Sequence, residues 1–529
     1  MAVSKIYSAQ ATLLSAQIID IEVDLSRGLH SFSIVGLANK SVDESKDRVS
    51  AAIKNSGWKS PKNKNQKVVV SLAPADIKKE GPVFDLPIAL AYLMASEDIR
   101  TSENLMEKRI FVGELSLEGN LRPIKGALPI TQEAKKRGFK EIFLPKENAE
   151  EASHISGITV HGAETLMEVI QHINTKKQKE FAEENKPIIQ HVEIPAYKAK
   201  KKTKSKREVE MDFADIKGQE SAKRGLEIAA SGGHNILMYG PPGTGKTMLA
   251  RAFTYLLPTL SFDEMLEVTS IYSIGGMLSE GLIEHPPFRS PHHTASYVSL
   301  VGGGTNLKPG EVTLAHKGVL FLDEFPEFDT KVLESLRQPL EDRVITVSRA
   351  KGSVRYPAHF ILVATMNPCP CGNYGVKGKE CTCSATQIDR YKRKLSGPIV
   401  DRIDMWVEVS KVEHQKLTDA REMHEGTGAM KPRVEKARKI AEDRYKKLKL
   451  KIKTNAELSP KDLVKHIVLS DKVKETLNTS AKQLDLSARS YHRIIKLART
   501  IADLEGALNI SENHILEALQ YRPKKYQGM

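Results

Sequence analysis

Hydrophobic and polar residues change their spacing several times along the first 175 residues. Three apolar runs, KVVVSLA (67–73), RIFVGELSL (109–117) and EIFLP (141–145), have the length and composition of β-strands. Two further segments, DLPIALAYLMA (85–95) and ITQEAKKRG (130–138), have helical spacing. Strands and helices mixed in this way predict an α/β domain over residues 1–175.

The remaining chain divides by composition. Residues 176–210 are polar and rich in lysine, which is typical of a solvated basic linker. Residues 211–412 hold the densest glycine and proline punctuation, and residues 413–529 are mostly helical in pattern. The 529 residues therefore predict a multidomain α/β protein with a C-terminal helical bundle, at roughly 100–200 residues per domain.

A glycine-rich loop follows the apolar run NILMYG (235–240) and precedes TMLARAFTYLL, which has helical spacing. This strand, loop and helix order is the context that a phosphate-binding P-loop requires. Glycines let backbone N–H groups turn toward phosphate oxygens, while Lys246 can reach the β- and γ-phosphates and Thr247 can bind Mg²⁺. The predicted ATP-binding residues are Gly240, Pro241, Pro242, Gly243, Thr244, Gly245, Lys246 and Thr247.

Two further apolar runs end in polar side chains. GVLFLDE (318–324) ends in Asp323, which would hold Mg²⁺, and Glu324, which would polarise the attacking water. HFILVATMNP (359–368) ends in Asn367, which could orient that water or contact the γ-phosphate. The alternatives are a solvated acidic strand end and an asparagine that caps the turn before Pro368.

GPPGTGKT, FLDE and ATMNP, in this order, resemble the motifs of AAA+ ATPases. The surrounding sequence resembles the YifB/ComM family of magnesium-chelatase-like AAA+ proteins along nearly the whole chain. The segments that carry the resemblance are FADIKGQESAKRGLEIAASGGHNILMYGPPGTGKT (213–247), FRSPHHTASYVSLVGGG (288–304), LSGPIVDRIDMWVEV (395–409) and LSARSYHRIIKLARTIADLEG (486–506). It implies an ATPase with residues 211–412 as the AAA+ domain and residues 413–529 as a helical lid.

Two arginines receive roles from this resemblance. Arg402 matches the arginine finger that reaches the ATP of a neighbouring subunit, and Arg489 matches the sensor 2 arginine. A finger that acts on a neighbour implies a homo-oligomeric ring, usually of six subunits. The alternative for both is an ordinary surface or helix-capping arginine.

The segment RVITVSRAKGSVRYPAHF (343–360) has the pattern of a β-hairpin with glycine at its turn. Its placement is similar to that of a hairpin that points into the pore of magnesium-chelatase-like and replicative-helicase rings. Arg349, Lys351 and Arg355 could then contact DNA phosphates. The alternative is a solvated hairpin with routine surface charge.

All four cysteines lie within the segment CPCGNYGVKGKECTC (369–383). Two C-x-C pairs suit a tetrahedral Zn²⁺ bound by Cys369, Cys371, Cys381 and Cys383, although C-x-x-C is the commoner spacing. Free thiols are the alternative, because a reducing cytoplasm disfavours disulfides.

Residues 78–91 and 113–130 resemble the proteolytic domain of Lon, whose fold is ribosomal S5 domain 2-like. That domain uses a serine and lysine pair, but Val83 stands at the serine position and Leu128 at the lysine position. Lys125 lies nearby at the wrong offset. We therefore expect no peptidase activity. A purely structural role for this domain and a DNA- or partner-binding role are equally open.

The formal net charge of +14 favours a polyanionic partner, although much of the excess lies in the lysine-rich linker. No run approaches the roughly 18 apolar residues of a membrane span, and the N-terminus lacks the pattern of a signal peptide, so we expect a cytoplasmic protein. The resemblance implies a ring motor that acts on single-stranded or branched DNA, by branch migration or helicase action, in recombination or natural transformation. The alternative is a chelatase-type motor that remodels a partner protein. The role of His292 and His293 stays open.

Overall fold

A computed structural model describes residues 2–12, 15–37, 39–76, 78–79, 81–101, 103–174, 190–197, 209–278, 281–303, 308–349, 352–376, 378–412 and 425–523. The chain forms two compact units. The first unit comprises Met1–Ser205 and Met265–Ile283, and the second comprises Lys206–Glu264 and Glu284–Met529.

The first unit alternates strands and helices. Its strands are β1 (Ala2–Thr12), β2 (Ser15–Arg27), β3 (Ser31–Val35), β4 (Gln66–Ala73), β5 (Arg109–Phe111), β6 (Glu114–Leu115), β7 (Leu121–Arg122), β8 (Glu141–Pro145) and β9 (Thr159–Ala163). Its helices are α1 (Lys40–Asp43), α2 (Ser45–Asn55), α3 (Asp85–Ala95), α4 (Glu103–Met106), α5 (Ala127–Lys136), α6 (Lys146–Ser153) and α7 (Leu166–Ile173), with a 3₁₀ turn at Pro61–Asn63.

Seven of these strands form one mixed sheet in the order β3-β4-β2-β1-β5-β8-β9. Successive side chains of a strand point to opposite faces, so each strand contributes to two cores. In β8, for example, Phe143 packs in one hydrophobic cluster while Ile142 and Leu144 pack in the other. Helices cover both faces, as the alternation of patterns along the sequence predicts.

The run predicted as one strand over 109–117 is two strands in the structure. The chain leaves the main sheet after β5 and forms the β6–β7 hairpin. Gly113 lies at the break, where its N–H donates to the Val83 carbonyl and its own carbonyl accepts from Leu86 N–H. A Cβ at Gly113 would lie 2.6 Å from Leu121 Cδ2, so a larger residue here would require the Leu121 side chain to move.

Part of the segment predicted as a linker packs against the first unit. Ile194 is buried, its carbonyl accepts a hydrogen bond from His161 Nδ1, and its N–H donates to His172 Nδ1, both at 2.9 Å. Burial lowers the pKa of His161, and lowers that of His172 to about 4. Residues 175–189 and 198–208, which hold most of the predicted linker, lie outside the described residues.

The second unit contains the elements β10 (Ile236–Tyr239), β11 (Phe288–Arg289), β12 (Gly302–Gly303), β13 (Lys308–Pro309), β14 (Val319–Leu322), β15 (Val344–Arg349), β16 (Gly352–Pro357), β17 (Ile361–Met366) and β18 (Met405–Glu408). The helices before the C-terminal region are α8 (Glu220–Gly232), α9 (Lys246–Leu256), α10 (Phe262–Gly275), α11 (Tyr297–Val301), α12 (Glu311–Leu314), α13 (Thr330–Ser335), α14 (Arg337–Asp342), α15 (Ala385–Arg393) and α16 (Gly397–Val400). Helix α10 begins in the second unit and continues into the first from Met265. Short 3₁₀ turns lie at Phe213–Asp215, Phe325–Glu327 and Asn455–Glu457.

Five strands of this unit form a parallel sheet in the order β11-β14-β17-β10-β18. All residues of β14 and β17 are buried, which explains why both read as continuous apolar runs rather than alternating ones. The three strands with predicted site residues, β14, β17 and β10, are consecutive in the sheet, with β17 in the middle. Their carboxyl ends therefore share one edge of the sheet.

The C-terminal region is helical: α17 (Thr427–Lys447), α18 (Pro460–His466), α19 (Asp471–Gln483), α20 (Ala488–Glu505) and α21 (Glu512–Gln520). Leu497 and Ile501 of α20 pack in the same hydrophobic cluster as Ile236 of the sheet. The predicted domain boundary at 412/413 adjoins residues 413–424, which lie outside the described residues, and stays a prediction. Among the described helices, none combines the length and the apolarity that crossing a bilayer demands.

Candidate functional site

The P-loop connects β10 to α9 with the backbone that its glycines allow. Gly243 and Gly245 have φ values of +77° and +89°, in the left-handed region that side chains disfavour. A Cβ on Gly240 would lie 2.1 Å from the Val409 carbonyl oxygen, so this glycine is required by close backbone approach. The loop then enters α9 at Lys246, which places its N–H groups at a helix N-terminus, as phosphate binding requires.

Lys246 lies at the centre of this loop. Its Nζ donates to the carbonyl oxygens of Gly240 and Pro241, both at 2.7 Å, and to Asn367 Oδ1 at 3.1 Å. Burial lowers the pKa of Lys246 to about 8, against the opposing attraction of Asp323 and Glu324. The structure thus joins the P-loop lysine to the asparagine at the end of β17.

Asp323 reaches the P-loop from the end of β14, which β17 separates from β10. Thr247 Oγ1 donates to Asp323 Oδ2 at 2.9 Å, and Thr365 Oγ1 donates to Asp323 Oδ1. A hydroxyl and a carboxylate this close form an oxygen-rich pair of the kind that Mg²⁺ prefers. The residues present therefore fit a magnesium ion held by Thr247 and Asp323.

Glu324 follows Asp323 in an unusual backbone conformation. Its φ is 53°, and its N–H donates to Thr365 Oγ1 at 3.2 Å. Non-glycine residues in this region often mark functional sites, because the surrounding structure must pay for the strain. Oε2 of Glu324 lies 3.2 Å from Nδ1 of His293.

The two candidate arginines share one carboxylate. Arg402 Nη2 donates to Glu341 Oε2, and Arg489 Nη2 donates to Glu341 Oε1 at 3.3 Å. The Arg402 side chain is only 10% exposed, and its Nη1 also donates to the Pro398 carbonyl at 2.6 Å. Both arginines line a cavity of about 690 Å³ together with Arg493 and Lys496.

This cavity lies at the end of the parallel sheet opposite to the P-loop. Asn235, directly before β10, donates from Nδ2 to the Arg402 carbonyl at 3.0 Å. Gly240 lies directly after the same strand, which at about 3.3 Å per residue is roughly 16 Å away. None of residues 240–247, all of which the structure describes, lines the cavity.

The predicted hairpin is present as β15 paired antiparallel with β16, with Arg349 opposite Gly352. Arg355 is exposed on β16. Lys351 lies outside the described residues, as does the side chain of Arg349. The structure therefore describes the hairpin and, of the three side chains predicted to contact phosphates, that of Arg355.

The four cysteines cluster around one point. Cys369 Sγ lies 3.4 Å from Cys371 Sγ and 3.7 Å from Cys381 Sγ, and the latter two lie 3.6 Å apart. Four sulfurs at about 2.3 Å from a tetrahedral zinc ion would be roughly 3.8 Å apart. The N–H groups of Tyr374 and Cys371 donate to the sulfurs of Cys369 and Cys383, which suits thiolates.

The cysteine loop touches the P-loop. Gly372, between the first two cysteines and the rest of the loop, packs so closely on Pro242 that a Cβ there would lie 2.6 Å from Pro242 Cδ. The cluster also begins two residues after Asn367, at Cys369. A metal at the cysteines would therefore stiffen both sides of the Lys246–Asn367 contact.

In the first unit, the positions that match the Lon dyad hold apolar side chains. Leu128 is buried and its N–H donates to Glu151 Oε1 at 3.0 Å, while Val83 is partly buried. Lys125 is exposed. Beside Val83, the fully buried Asp85 pairs with Arg48 at 2.7 Å.

Three residues of this site have no role that the sequence assigns: His293, Glu341 and Thr365. Thr365 could have been found, because it lies two residues before Asn367 and alternate residues of a strand share a face. His293 and Glu341 reach their partners from distant parts of the chain. No periodicity or spacing rule connects them.

Comparisons with known proteins place the chain in a family. The family described as "Magnesium chelatase, subunit ChlI" matches residues 212–417, and the families for subunit ChlI and for its C-terminal part match residues 21–148 and 424–522. The competence protein ComM of Haemophilus influenzae is 42% identical over 523 residues, which is 99% of this chain and 98% of that protein.

The protein YifB of Salmonella typhimurium is 40% identical over 523 residues, covering 99% of this chain and 97% of the relative. The magnesium-chelatase 67 kDa subunit of Chlorobaculum parvum is 31% identical over 162 residues, or 30% of this chain and 23% of that protein. With a complete P-loop, a neighbouring acidic strand end and full-length similarity of this degree, the chain belongs to the YifB/ComM family of magnesium-chelatase-like AAA+ proteins.

Proposed function

We propose that this protein hydrolyses ATP in a homo-oligomeric ring, six subunits being the usual number, and uses the energy to move along DNA. The observation that carries the ATPase part is the meeting of Lys246, Thr247, Asp323 and Asn367 at one sheet edge. AAA+ family membership supports the same activity.

The residues at this edge divide the chemical work. Lys246 and the P-loop N–H groups bind the phosphates, while Thr247 and Asp323 hold Mg²⁺, which when bound neutralises phosphate charge. Glu324 accepts a proton from the attacking water and Asn367 orients it. Arg402 stabilises charge in the transition state from a neighbouring subunit.

The phosphate site and the two arginines lie at opposite ends of one sheet, which supports hydrolysis at sites shared between subunits. The phosphates bind at the carboxyl end of β10, whereas Arg402 and Arg489 lie near Asn235 at its amino end, roughly 16 Å away along an extended strand. Neither arginine reaches the P-loop of its own chain across this length. Both arginines therefore act on the ATP of a second copy of this chain. The role in a neighbouring subunit thus applies to Arg489 as well as to Arg402.

Replacing Arg402 with alanine tests this arrangement. The variant should lose ATP hydrolysis by at least about 1,000-fold, the range known for arginine fingers, and keep its affinity for ATP. Steady-state phosphate release and equilibrium binding of a fluorescent ATP analogue measure the two. Normal turnover by the variant would remove the finger assignment.

The DNA part rests on charge and on the hairpin. The chain carries a net charge of +14, and Arg355 is exposed on β16. A relative that aligns with this chain over 98% of the relative's length is named a competence protein. A basic hairpin in the pore of a ring suits single-stranded or branched DNA, and branch migration or helicase action in recombination or natural transformation.

ATP turnover in the presence of DNA is the direct test. We expect single-stranded or branched DNA to raise the ATPase rate of the full chain, and a Lys246→Ala variant to show no turnover with any DNA. Equal rates with and without single-stranded, duplex and branched DNA would contradict a DNA motor. They would favour the chelatase-type alternative, in which the ring remodels a partner protein.

The hairpin has its own test. Replacing Arg349 and Lys351 with alanine should weaken DNA binding and reduce the slope of log affinity against log salt by about one for each phosphate contact removed. Lys331→Ala, which removes an exposed charge from helix α13, is the control. An unchanged slope in the double variant would show that the hairpin does not touch phosphates.

The cysteine cluster completes the proposal. A structural Zn²⁺ bound by Cys369, Cys371, Cys381 and Cys383 would hold the loop that packs on Pro242. This zinc would do no chemistry on ATP. Its role is to hold the P-loop and Asn367 in fixed positions relative to each other.

A further inference from the structure

Glu341 occupies the guanidinium groups that the proposed function assigns to a neighbour's nucleotide. The carboxylate accepts from Arg402 with one oxygen and from Arg489 with the other. These hydrogen bonds, chiefly the one from Arg402, lower the pKa of Glu341, so the group is anionic at neutral pH. The side chain is 49% exposed and lines the same cavity as the two arginines.

Charge in this cavity is unevenly shared. Arg343 pairs with Glu457 at 2.9 Å, and Arg493 lies 3.6 Å from Asp404, so each of these two arginines faces a different carboxylate. Among the described ion pairs, those of Arg402 and Arg489 go to one shared carboxylate, that of Glu341. Arg402 Nε is moreover buried with no hydrogen-bond partner. The pair can thus accept a second anion.

We infer that Glu341 is a positioning residue that holds Arg402 and Arg489 in the separate subunit and competes with the phosphates of the ATP bound by a second copy of this chain. A carboxylate and a phosphate offer guanidinium the same paired oxygens, so both cannot be bound fully at once. Glu341 therefore restrains trans-acting arginines until a neighbour presents ATP. This inference rests on the proposed function.

Restraint of this kind predicts a particular response to loss of charge. Glu341→Gln keeps the shape and one oxygen acceptor but removes the competing charge. The arginines should then engage the neighbour's nucleotide more readily. Because Glu341 is half exposed, we expect a modest effect of about threefold in the subunit concentration needed.

Mixed rings locate the effect on one subunit. A Lys246→Ala subunit donates arginines but cannot use its own ATP site, and an Arg402→Ala subunit offers an intact ATP site without a finger. Mixing them should restore ATPase activity. With Glu341→Gln added to the Lys246→Ala subunit, half-maximal restoration should need about threefold less of that subunit.

A matched control removes the same charge from the next residue. Asp342→Asn lies on the same helix, and none of the described ion pairs joins Asp342 to either arginine. This change should leave the required concentration unaltered. Glu341→Asp, which keeps the charge on a shorter side chain, should give a smaller shift than Glu341→Gln and serves if the glutamine variant does not fold.

The outcomes separate the two proposals. No restored activity in the parent mixture would overturn the proposed trans arrangement, whatever Glu341 does. Restored activity with no shift for Glu341→Gln or Glu341→Asp would overturn the restraint alone. Loss of restored activity in the Glu341→Gln mixture would show that Glu341 supports the arginines in the active ring, which also contradicts competition.

Discussion

His293 Nδ1 lies 3.2 Å from Oε2 of Glu324, the carboxylate that we assign to the attacking water. The imidazole comes from the loop after β11, a strand that pairs with β14, whereas Glu324 follows β14 itself. This contact with the imidazole fixes the position of the Glu324 carboxylate. The contact links the PHHTAS loop, whose role the sequence leaves open, to the ATP site.

His293→Ala should raise ATP turnover in the absence of DNA by about threefold, because Glu324 loses a partner that competes with water. Affinity for ATP should stay constant, since His293 does not contact the P-loop lysine. His292→Ala is the control: its Nδ1 bonds to Thr294 Oγ1 at 2.8 Å, so the change removes a neighbouring imidazole but spares Glu324. A fall in turnover to the level of Glu324→Gln would instead make His293 part of the catalytic machinery.

The pKa of Lys246 predicts a pH dependence of ATP binding. Burial lowers this pKa to about 8, and bound phosphates favour the charged amine, so binding above pH 8 must take up a proton. Affinity should be constant below about pH 7 and fall by up to tenfold per pH unit above 8. Titration with a fluorescent ATP analogue from pH 7 to 9.5 measures the change.

Lys246→Arg provides the comparison, because guanidinium keeps its charge throughout this range. Its affinity should be weaker at pH 7 but should not fall between pH 8 and 9.5. If the wild-type protein shows the same flat profile, Lys246 keeps its proton at all these pH values and the inference from burial is wrong.

The sequence predicts the ATP site well because the site is built from strand ends. The runs before Gly240, Asp323 and Asn367 are continuous and apolar, which indicates central parallel strands, and parallel strands end at the same edge. The order of the motifs GPPGTGKT, FLDE and ATMNP along the chain then indicates the role of each strand end. The observed sheet order then brings Lys246 within 3.1 Å of Asn367.

The arginine site could not be predicted in the same way. Glu341 lies 61 residues before Arg402 and 148 before Arg489, on a helix whose end has no motif. The pairing depends on how α14, α16 and α20 pack, which neither propensity nor periodicity specifies. The resemblance supplies roles for the arginines but says nothing of the carboxylate between them.

Stability of the first unit should depend strongly on Asp85. This carboxylate is fully buried, pairs with Arg48 and accepts the Leu115 N–H at 3.3 Å. Burial raises its pKa, while Arg48 opposes the shift. Asp85→Ala leaves Arg48 without its carboxylate and the Leu115 N–H without its acceptor, which should cost about 3 kcal/mol in the free energy of unfolding.

Asp47→Ala is the matched control, because Asp47 pairs with Lys62 at 2.6 Å on the surface, where it is 74% exposed. It should cost less than about 1 kcal/mol. The chain has two tryptophans, so urea unfolding in a Trp406→Phe background is reported by the buried Trp58 of the first unit. Equal midpoints for the two aspartate variants would contradict a structural role for the Arg48–Asp85 pair.

The cysteine cluster should bind one zinc ion per chain and thereby support ATP binding. Cys381→Ser removes one of the sulfurs, which lie 3.4 to 3.7 Å apart, and should abolish stoichiometric zinc. Because Gly372 packs on Pro242, loosening this loop should also weaken ATP binding. We expect a loss of affinity for ATP of about threefold to tenfold, measured beside metal content on the same preparation.

Lys379→Ala, which changes an exposed residue of the same loop, should alter neither the zinc content nor the affinity for ATP. Wild-type protein with four titratable thiols and less than stoichiometric zinc would show that the cysteines are free, and unchanged ATP affinity in a zinc-free variant would show that the loop does not brace the P-loop.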